Sequence, residues 1–269
     1  MGSIRAWGID VGSSTTKIVG VDAEGAVGWT LLEESQPRAE EQIERMLQQA
    51  AAAADGAIPQ PLVATGYGRR LVAQAEQAVT EITCHARGAH RLLGHGGTLV
   101  DIGGQDSKVI RLGPKGEVLD FAMNDKCAAG TGRFLETTGR RLGVEIGRVG
   151  EVALAARDEA TLSSTCTVFA ESEIVSLLAH GVGVEPILKG LHRALVQRLV
   201  AMIHQVGLTP PLLLSGGVAR NPAVARLLEA ETGEAVVIPP HPQLMGAYGA
   251  ALAAMESAGA RSGRGGATS

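Results

Sequence analysis

Two stretches of the chain share one pattern of apolar and polar positions. Residues 10–19 read DVGSSTTKIV, and residues 101–110 read DIGGQDSKVI. Each stretch follows an apolar strand, turns over glycine and small polar residues, and resumes as a strand, which is the pattern of a β-hairpin. The aspartate, one glycine, the lysine and the apolar pair after it recur at matching positions. The two copies predict a duplicated protein with two lobes, whose related turns face a shared cleft.

The remaining pattern alternates helical and short apolar segments. Predicted helices cover residues 40–54, 70–75, 85–93, 131–142, 171–179 and 187–206. A buried strand covers residues 212–214 and another short strand covers residues 236–238. We expect a first lobe over residues 1–95, with a helix over 245–256 that packs back on it. The second lobe covers residues 96–244 and carries two cysteines of interest. A Gly/Ser/Arg-rich tail over residues 257–269 is predicted to be disordered.

Composition and charge exclude several classes of protein. The 269 residues are 45% hydrophobic and 19% charged, which is a globular balance and excludes a disordered chain. A formal net charge of -4 and 3% aromatic residues favour neither a nucleic-acid groove nor an anionic membrane surface. Three cysteines argue against a secreted disulfide framework. We see no targeting segment and no long apolar run, and expect a cytoplasmic protein with no nucleic-acid or membrane partner.

The first predicted turn carries groups suited to phosphate. Residues 12–16 can present successive backbone amides and hydroxyls to phosphate oxygens, and Lys17 adds a positive charge. Asp10 and its counterpart Asp101 can hold Mg²⁺, mostly through water. The chain has no GxxxxGK[ST] sequence and lacks the glycine spacing of a dinucleotide fingerprint, so both of those nucleotide-binding motifs are excluded.

Two further features complete a nucleotide-binding pattern. In the second turn, Gln105 or Asp106 can orient an attacking water. Residues 212–224 read LLLSGGVARNPAV, in which a buried strand meets Gly216 and Gly217 and lets a flat ligand approach the backbone. Together, the three elements resemble the phosphate-1, phosphate-2 and adenosine motifs of the acetate and sugar kinase, heat-shock ATPase and actin superfamily. The resemblance implies an α/β fold in which two ribonuclease-H-like lobes close over ATP.

Two cysteines lie just before predicted helix starts, where the positive end of a helix favours thiolates and cluster sulfides. Cys127 lies in NDKCAAGTGRFLE and Cys166 in SSTCTVFAESE. A cysteine among small residues is also a common packing residue, which is our interpretation of Cys84; its neighbour His85 is taken as structural. One chain lacks the four thiolates of a 4Fe–4S cluster, but two chains that each contribute Cys127 and Cys166 would supply them. Zinc is a poorer alternative, because no histidine is near these cysteines.

The order of these segments resembles a known family. The chain is similar to the activator components of (R)-2-hydroxyacyl-CoA dehydratases over about residues 4–254. The similarity includes the segments around Cys127 and Cys166, and also ATGYGR at residues 64–69 and EITCHARGA at residues 81–89. The resemblance implies a homodimer with one 4Fe–4S cluster that bridges the subunits through Cys127 and Cys166, and ATP with Mg²⁺ in each subunit. It implies an ATPase that is reduced by ferredoxin or flavodoxin and passes one electron to a 2-hydroxyacyl-CoA dehydratase or a related reductase.

Residue chemistry and resemblance together give a set of candidate site residues. The catalytic candidates are Asp10, Asp101 and Gln105. The nucleotide contacts are Gly12, Ser13, Ser14, Thr15, Thr16, Lys17, Gly103, Gly104, Gly216, Gly217 and Gln243. The metal ligands are Cys127 and Cys166. The alternatives are the ATP-binding cluster subunit of a benzoyl-CoA reductase, the reductase of a double-cubane cluster protein and, more distantly, a small-molecule kinase.

Overall fold

The chain folds into two compact units, each built around a five-stranded sheet. The structure is a computed structural model that describes residues 3–54, 56, 60–162 and 167–264. Met1–Gly94 and Leu244–Ser269 belong to the first unit, and His95–Gln243 form the second. No helix in these described ranges is long and apolar enough to span a lipid bilayer.

The first unit contains a mixed sheet whose central strand is buried along its whole length. Its elements are β1 (Ala6–Val11), β2 (Thr15–Val21), β3 (Val27–Glu34), α1 (Ala39–Ala53), β4 (Leu62–Thr65), β5 (Gln77–Ala78) and α2 (Glu81–Leu93). The strand order is β3-β2-β1-β4-β5. β2 pairs antiparallel with both β1 and β3, whereas β4 runs parallel to β1 and to β5. All six residues of β1 are buried, as in a strand that is covered on both faces.

The second unit repeats this topology. Its elements are β6 (Gly97–Ile102), β7 (Ser107–Leu112), β8 (Val118–Asn124), α3 (Gly132–Arg141), α4 (Val149–Ala155), α5 (Thr167–Ala179), α6 (Val184–Val206), β9 (Leu212–Ser215), α7 (Pro222–Thr232) and β10 (Val236–Val237). The order β8-β7-β6-β9-β10 matches that of the first sheet, with the same senses of pairing. The buried residues of α6 form one apolar core with β6, β7 and β9.

The last helix, α8 (Met245–Arg264), belongs to the first unit and packs on β1 and α2. It approaches β1 closely, because a Cβ at Gly8 would overlap the carbonyl oxygen of Ala247. The side chains of Ala247, Ala250 and Ala251 are fully buried, so small residues on both elements permit this packing.

The structure corrects sequence predictions at the C-terminal tail and at the segment after β4. Helix α8 extends to Arg264, whereas a disordered tail was predicted from Ser257. Ser257 Oγ donates to Ala253 O at 3.0 Å, a bond that is compatible with a continuing helix. The predicted helix over residues 70–75 is only a 3₁₀ turn at Arg69–Leu71, since six residues are too few to repay the cost of helix nucleation.

Candidate functional site

The predicted hairpin turn of the first unit is confirmed between β1 and β2. The Gly12 N–H donates to Thr15 O at 3.1 Å and closes the turn. Asp10 and Lys17 face each other across the ladder, and Lys17 Nζ lies 3.1 Å from Asp10 Oδ2. Because these side chains are only 13% and 8% exposed, their ion pair is screened less than a surface pair. The turn therefore places one carboxylate and one ammonium group beside its backbone amides.

Ser35, which the sequence analysis did not identify, supports this turn from the end of β3. Its Oγ donates to Gly12 O at 2.7 Å, and its backbone N–H donates to Ser14 O at 3.0 Å. Thr16 is buried, and its Oγ1 lies 3.5 Å from Ser35 Oγ, whereas Ser13 is exposed. The structure thus separates an outward-facing part of the turn from a buried part that holds it.

Two glycines bring the backbone close to Asp10. Gly66 follows β4 with φ +91°, and a Cβ there would overlap Asp10 Oδ1 and Val11 O. A Cβ at Gly246 would lie 2.9 Å from both Asp10 Oδ2 and His85 Cε1, so the His85 ring borders the same space. The sequence signal for Gly66 was its place in ATGYGR, but only the fold shows that it lies against Asp10.

The second unit has the matching turn between β6 and β7, also as predicted. The Gly103 N–H donates to Asp106 O at 2.9 Å. Asp101 and Lys108 pair across the ladder, but Lys108 Nζ lies 3.8 Å from Asp101 Oδ2 and bonds Asp106 instead. Ser215 Oγ donates to Asp101 Oδ1 at 2.6 Å. The second turn therefore holds two carboxylates around one buried lysine.

The predicted adenosine element lies next to this turn. β9 runs parallel to β6 with Ser215 opposite Asp101, and Gly216 follows with φ +86°. A Cβ at Gly216 would overlap Ile102 O, so glycine is required there. The Gly216 N–H donates to Pro242 O at 2.8 Å, which brings Gln243 beside Gly217. The structure thus brings Gly216, Gly217 and Gln243 together within the second unit.

The second turn is also bonded to helix α3. The first two amides of α3, those of Gly132 and Arg133, donate to Gly103 O and Gly104 O at 2.9 and 2.8 Å. These carbonyls satisfy helix donors that have no partner inside the helix. Gln105 is exposed at the tip of the same turn, where its amide can reach a solvent molecule.

The cysteines differ in accessibility. Cys127 is a half-buried free thiol in the loop between β8 and α3. Cys84 is fully buried in the first unit, and burial raises its pKa to about 11, which confirms its interpretation as a packing residue. Cys166 lies outside the described residues. Within those residues, no group of three or more His, Cys, Asp or Glu side chains could hold a metal ion.

Comparison with known proteins places the chain in a family. The model of the BadF/BadG/BcrA/BcrD ATPase family matches residues 7–254. The chain belongs to this family. It is 46% identical over 196 residues to the activator of lactoyl-CoA dehydratase from Anaerotignum propionicum, covering 73% of this chain and 76% of that protein. The predicted resemblance to dehydratase activators is therefore confirmed.

Two other proteins extend the comparison. The activator of the 2-hydroxyisocaproyl-CoA dehydratase from Clostridium difficile, solved with bound ADPNP, has a TM-score of 0.88 at 34% identity, and the match covers 96% of this chain and 97% of that chain. Together with the repeated sheet topology, it confirms the predicted fold class. A benzoyl-CoA reductase subunit from Thauera aromatica is 31% identical over 259 residues, 91% of each chain.

Proposed function

We propose that this protein is an ATP-dependent one-electron donor that activates a 2-hydroxyacyl-CoA dehydratase. ATP hydrolysis would drive low-potential transfer from a 4Fe–4S cluster shared by two copies of the chain. Family membership and the similarity to dehydratase activators support the ATPase and activator roles. The observation that carries the redox role is the position of Cys127, a half-buried cysteine whose loop leads into the helix bonded to Gly103 and Gly104.

In the first unit, residues 13–15 would bind phosphate oxygens through backbone amides and hydroxyls, and Gly12 would shape the turn that presents them by donating its N–H to Thr15 O. Asp10 would hold Mg²⁺ through water, and the ammonium group of Lys17 would bind a phosphate oxygen in addition to Asp10. The 3.1 Å ion pair supports this role, because it keeps the ammonium group beside the turn. Buried Thr16 would contribute through Ser35, which fixes the turn.

In the second unit, Asp101 would hold Mg²⁺ through water, and the exposed Gln105 would orient the attacking water. Gly103 and Gly104 would let phosphate approach the backbone of the turn. Gly216, Gly217 and Gln243 would contact adenosine. Their shared location supports this assignment, because Gly217 carries no side chain and a Cβ there would lie 3.7 Å from Gln243 Nε2.

Cys127 and Cys166 would hold the cluster, two thiolates from each of two copies. Cys127 fits this role because its sulfur is a soft ligand, forms no disulfide within the described residues and belongs to a residue that is only half-buried. Cys84 does not fit, because its thiol is fully buried and keeps its proton. When bound, the cluster supplies one-electron redox chemistry. Ferredoxin or flavodoxin is the proposed electron donor, and the active form is a homodimer.

Anaerobic purification followed by iron and sulfide analysis tests the proposal. We expect about four irons per two chains in the wild type. Cys127→Ser and Cys166→Ser should each abolish iron binding, whereas the matched control Cys84→Ser should retain it. Four irons in a single chain, or an iron-free monomer with full activator function, would contradict the bridging cluster.

The similarity to a benzoyl-CoA reductase component favours one alternative, a permanent ATP-binding subunit of such a reductase. Affinity purification of a tagged protein from its native cells distinguishes the two functions. The activator proposal expects a free homodimer that joins its dehydratase transiently. A stoichiometric complex with catalytic reductase subunits would favour the alternative.

A further inference from the structure

A single side chain fixes the backbone of the loop that contains Cys127. Asn124, the last residue of β8, donates from Nδ2 to Cys127 O at 2.8 Å and to Ala129 O at 2.9 Å. The side-chain amide of Asn124 therefore bonds to the backbone carbonyls on both sides of Ala128. Thr131 Oγ1 adds a bond to Ala128 O at 2.7 Å, so three consecutive carbonyls of the loop accept from side chains.

Asn124 also connects this loop to the second turn. Its backbone lies opposite Ser107 in the β7–β8 ladder, and Ser107 directly follows the turn at residues 103–106. At its other end, the loop enters α3, whose first two amides bond to Gly103 and Gly104. The loop around Cys127 is thus attached at both ends to the turn that is proposed to bind nucleotide.

We propose that Asn124 is a positioning residue for the iron–sulfur site, which holds the Cys127 loop in the conformation needed for ligation and for its response to nucleotide. The proposal rests on the proposed function and adds a residue outside the ligand set. Asn124 sits where β8 ends, so its backbone is fixed by the sheet while its side chain holds the loop. A short loop without these two bonds has more conformations available to it.

The test compares Asn124→Ala, which removes both donors, with Asn124→Gln, which keeps an amide on a longer side chain. Asp120→Ala is the matched control, because Asp120 is exposed on the same strand and its carboxylate accepts from its neighbour Phe121. A neutral hydrogen bond shifts an equilibrium by about fivefold. Since Asn124→Ala loses two such bonds, we expect it to release iron to a chelator at least about tenfold faster than the wild type, with Asn124→Gln between them and Asp120→Ala unchanged.

Two further readouts separate positioning from general stability. Asn124→Ala should change the EPR signal of the reduced protein and weaken the effect of ATP with Mg²⁺ on iron release, while its thermal midpoint stays close to that of Asp120→Ala. Iron release and EPR signals equal to the wild type in both Asn124 variants would overturn the proposal.

A thiol measurement keeps this test independent of the cluster. In iron-free protein that carries Cys84→Ser and Cys166→Ser, Cys127 is the remaining thiol. Its labelling rate should rise about fivefold or more with Asn124→Ala, because the loop opens more readily. Equal labelling rates would overturn the role of Asn124. If the wild type binds no iron, the proposed function fails by that separate result.

Discussion

The two units present the same turn on the same sheet topology, but they hold its charged groups differently. In the first unit, Lys17 binds Asp10 directly at 3.1 Å. In the second, Lys108 lies 3.8 Å from Asp101 and bonds Asp106. Asp101 instead accepts from Ser215 Oγ at 2.6 Å.

The difference follows from one residue of the turn. Asp106 occupies the position that Thr15 has in the first copy, since both carbonyls close their turns by accepting from the matching glycine. The carboxylate of Asp106 binds Lys108, which therefore lies farther from Asp101. Asp101 accepts a hydrogen bond from the neutral hydroxyl of Ser215 instead. At the second turn, Asp101, Asp106 and Lys108 together carry a formal charge of −1, whereas Asp10 and Lys17 together are neutral. The second turn therefore carries the more negative formal charge of the two.

The largest expected effect concerns the glycines that end the matching strands β4 and β9. Gly216→Ala should destabilise the protein by about 3 kcal/mol or more, because the new Cβ meets backbone and φ is positive. Gly66→Ala should behave similarly. Gly233→Ala is the control, since φ is +71° but nothing lies within 4 Å of the new Cβ, and it should cost about 1 kcal/mol. Equal free energies of unfolding for Gly216→Ala and Gly233→Ala would contradict the close approach.

The buried Cys84 of the first unit should make the stability of the protein depend on pH. Burial raises the pKa of Cys84 to about 11 from 9.0, so the unfolded chain loses this proton first as pH rises. The resulting stability is present below pH 9 and is lost between about pH 9 and pH 11, by about 2 kcal/mol. Urea unfolding across this range should show the loss in the wild type and a smaller one in Cys84→Ala. The same pH dependence of stability in the wild type and in Cys84→Ala would contradict this role of Cys84.

Charge removal should distinguish the two turns. Asp10→Asn leaves the nearly buried Lys17 without its carboxylate and should cost about 2 kcal/mol of unfolding free energy. Asp101→Asn should cost less, because Lys108 keeps Asp106 and the new amide oxygen still accepts from Ser215. Chemical denaturation of both variants measures the difference. A larger loss for Asp101→Asn would reverse our comparison.

The smallest effects concern the hydroxyls opposite the two aspartates. Ser215 lies opposite Asp101 and bonds it, whereas Thr65 lies opposite Asp10, and its buried hydroxyl lies beside the Cys84 thiol. Ser215→Ala should destabilise by about 1.5 kcal/mol. Thr65→Val should cost less than Ser215→Ala, because a thiol is a weaker hydrogen-bond partner than a carboxylate. Destabilisation of equal size in both variants, measured by urea unfolding, would show that the two hydroxyls act alike.

The sequence predicted local features well and distant ones poorly. Both hairpins and most of helices α1, α3 and α6 follow from periodicity and turn residues that lie next to each other in the chain. The predicted helix over residues 70–75 was wrong, and α2 begins at Glu81, capped by Thr80 Oγ1, rather than at residue 85. The predicted disorder was wrong for residues 257–264, where α8 continues, and residues 265–269 lie outside the described residues.

The amino-acid sequence by itself determined where the turns lie and which charged groups they carry, because a tight turn is specified by neighbouring glycines and small polar residues. Tertiary structure decided which partner each charge takes. Ser215 reaches Asp101 only because β9 pairs with β6, and Gly66 meets Asp10 only because β4 pairs with β1. Ser35 likewise supports the first turn through the pairing of β2 with β3. Such contacts join segments that are distant in the chain, and strand pairing and packing set them.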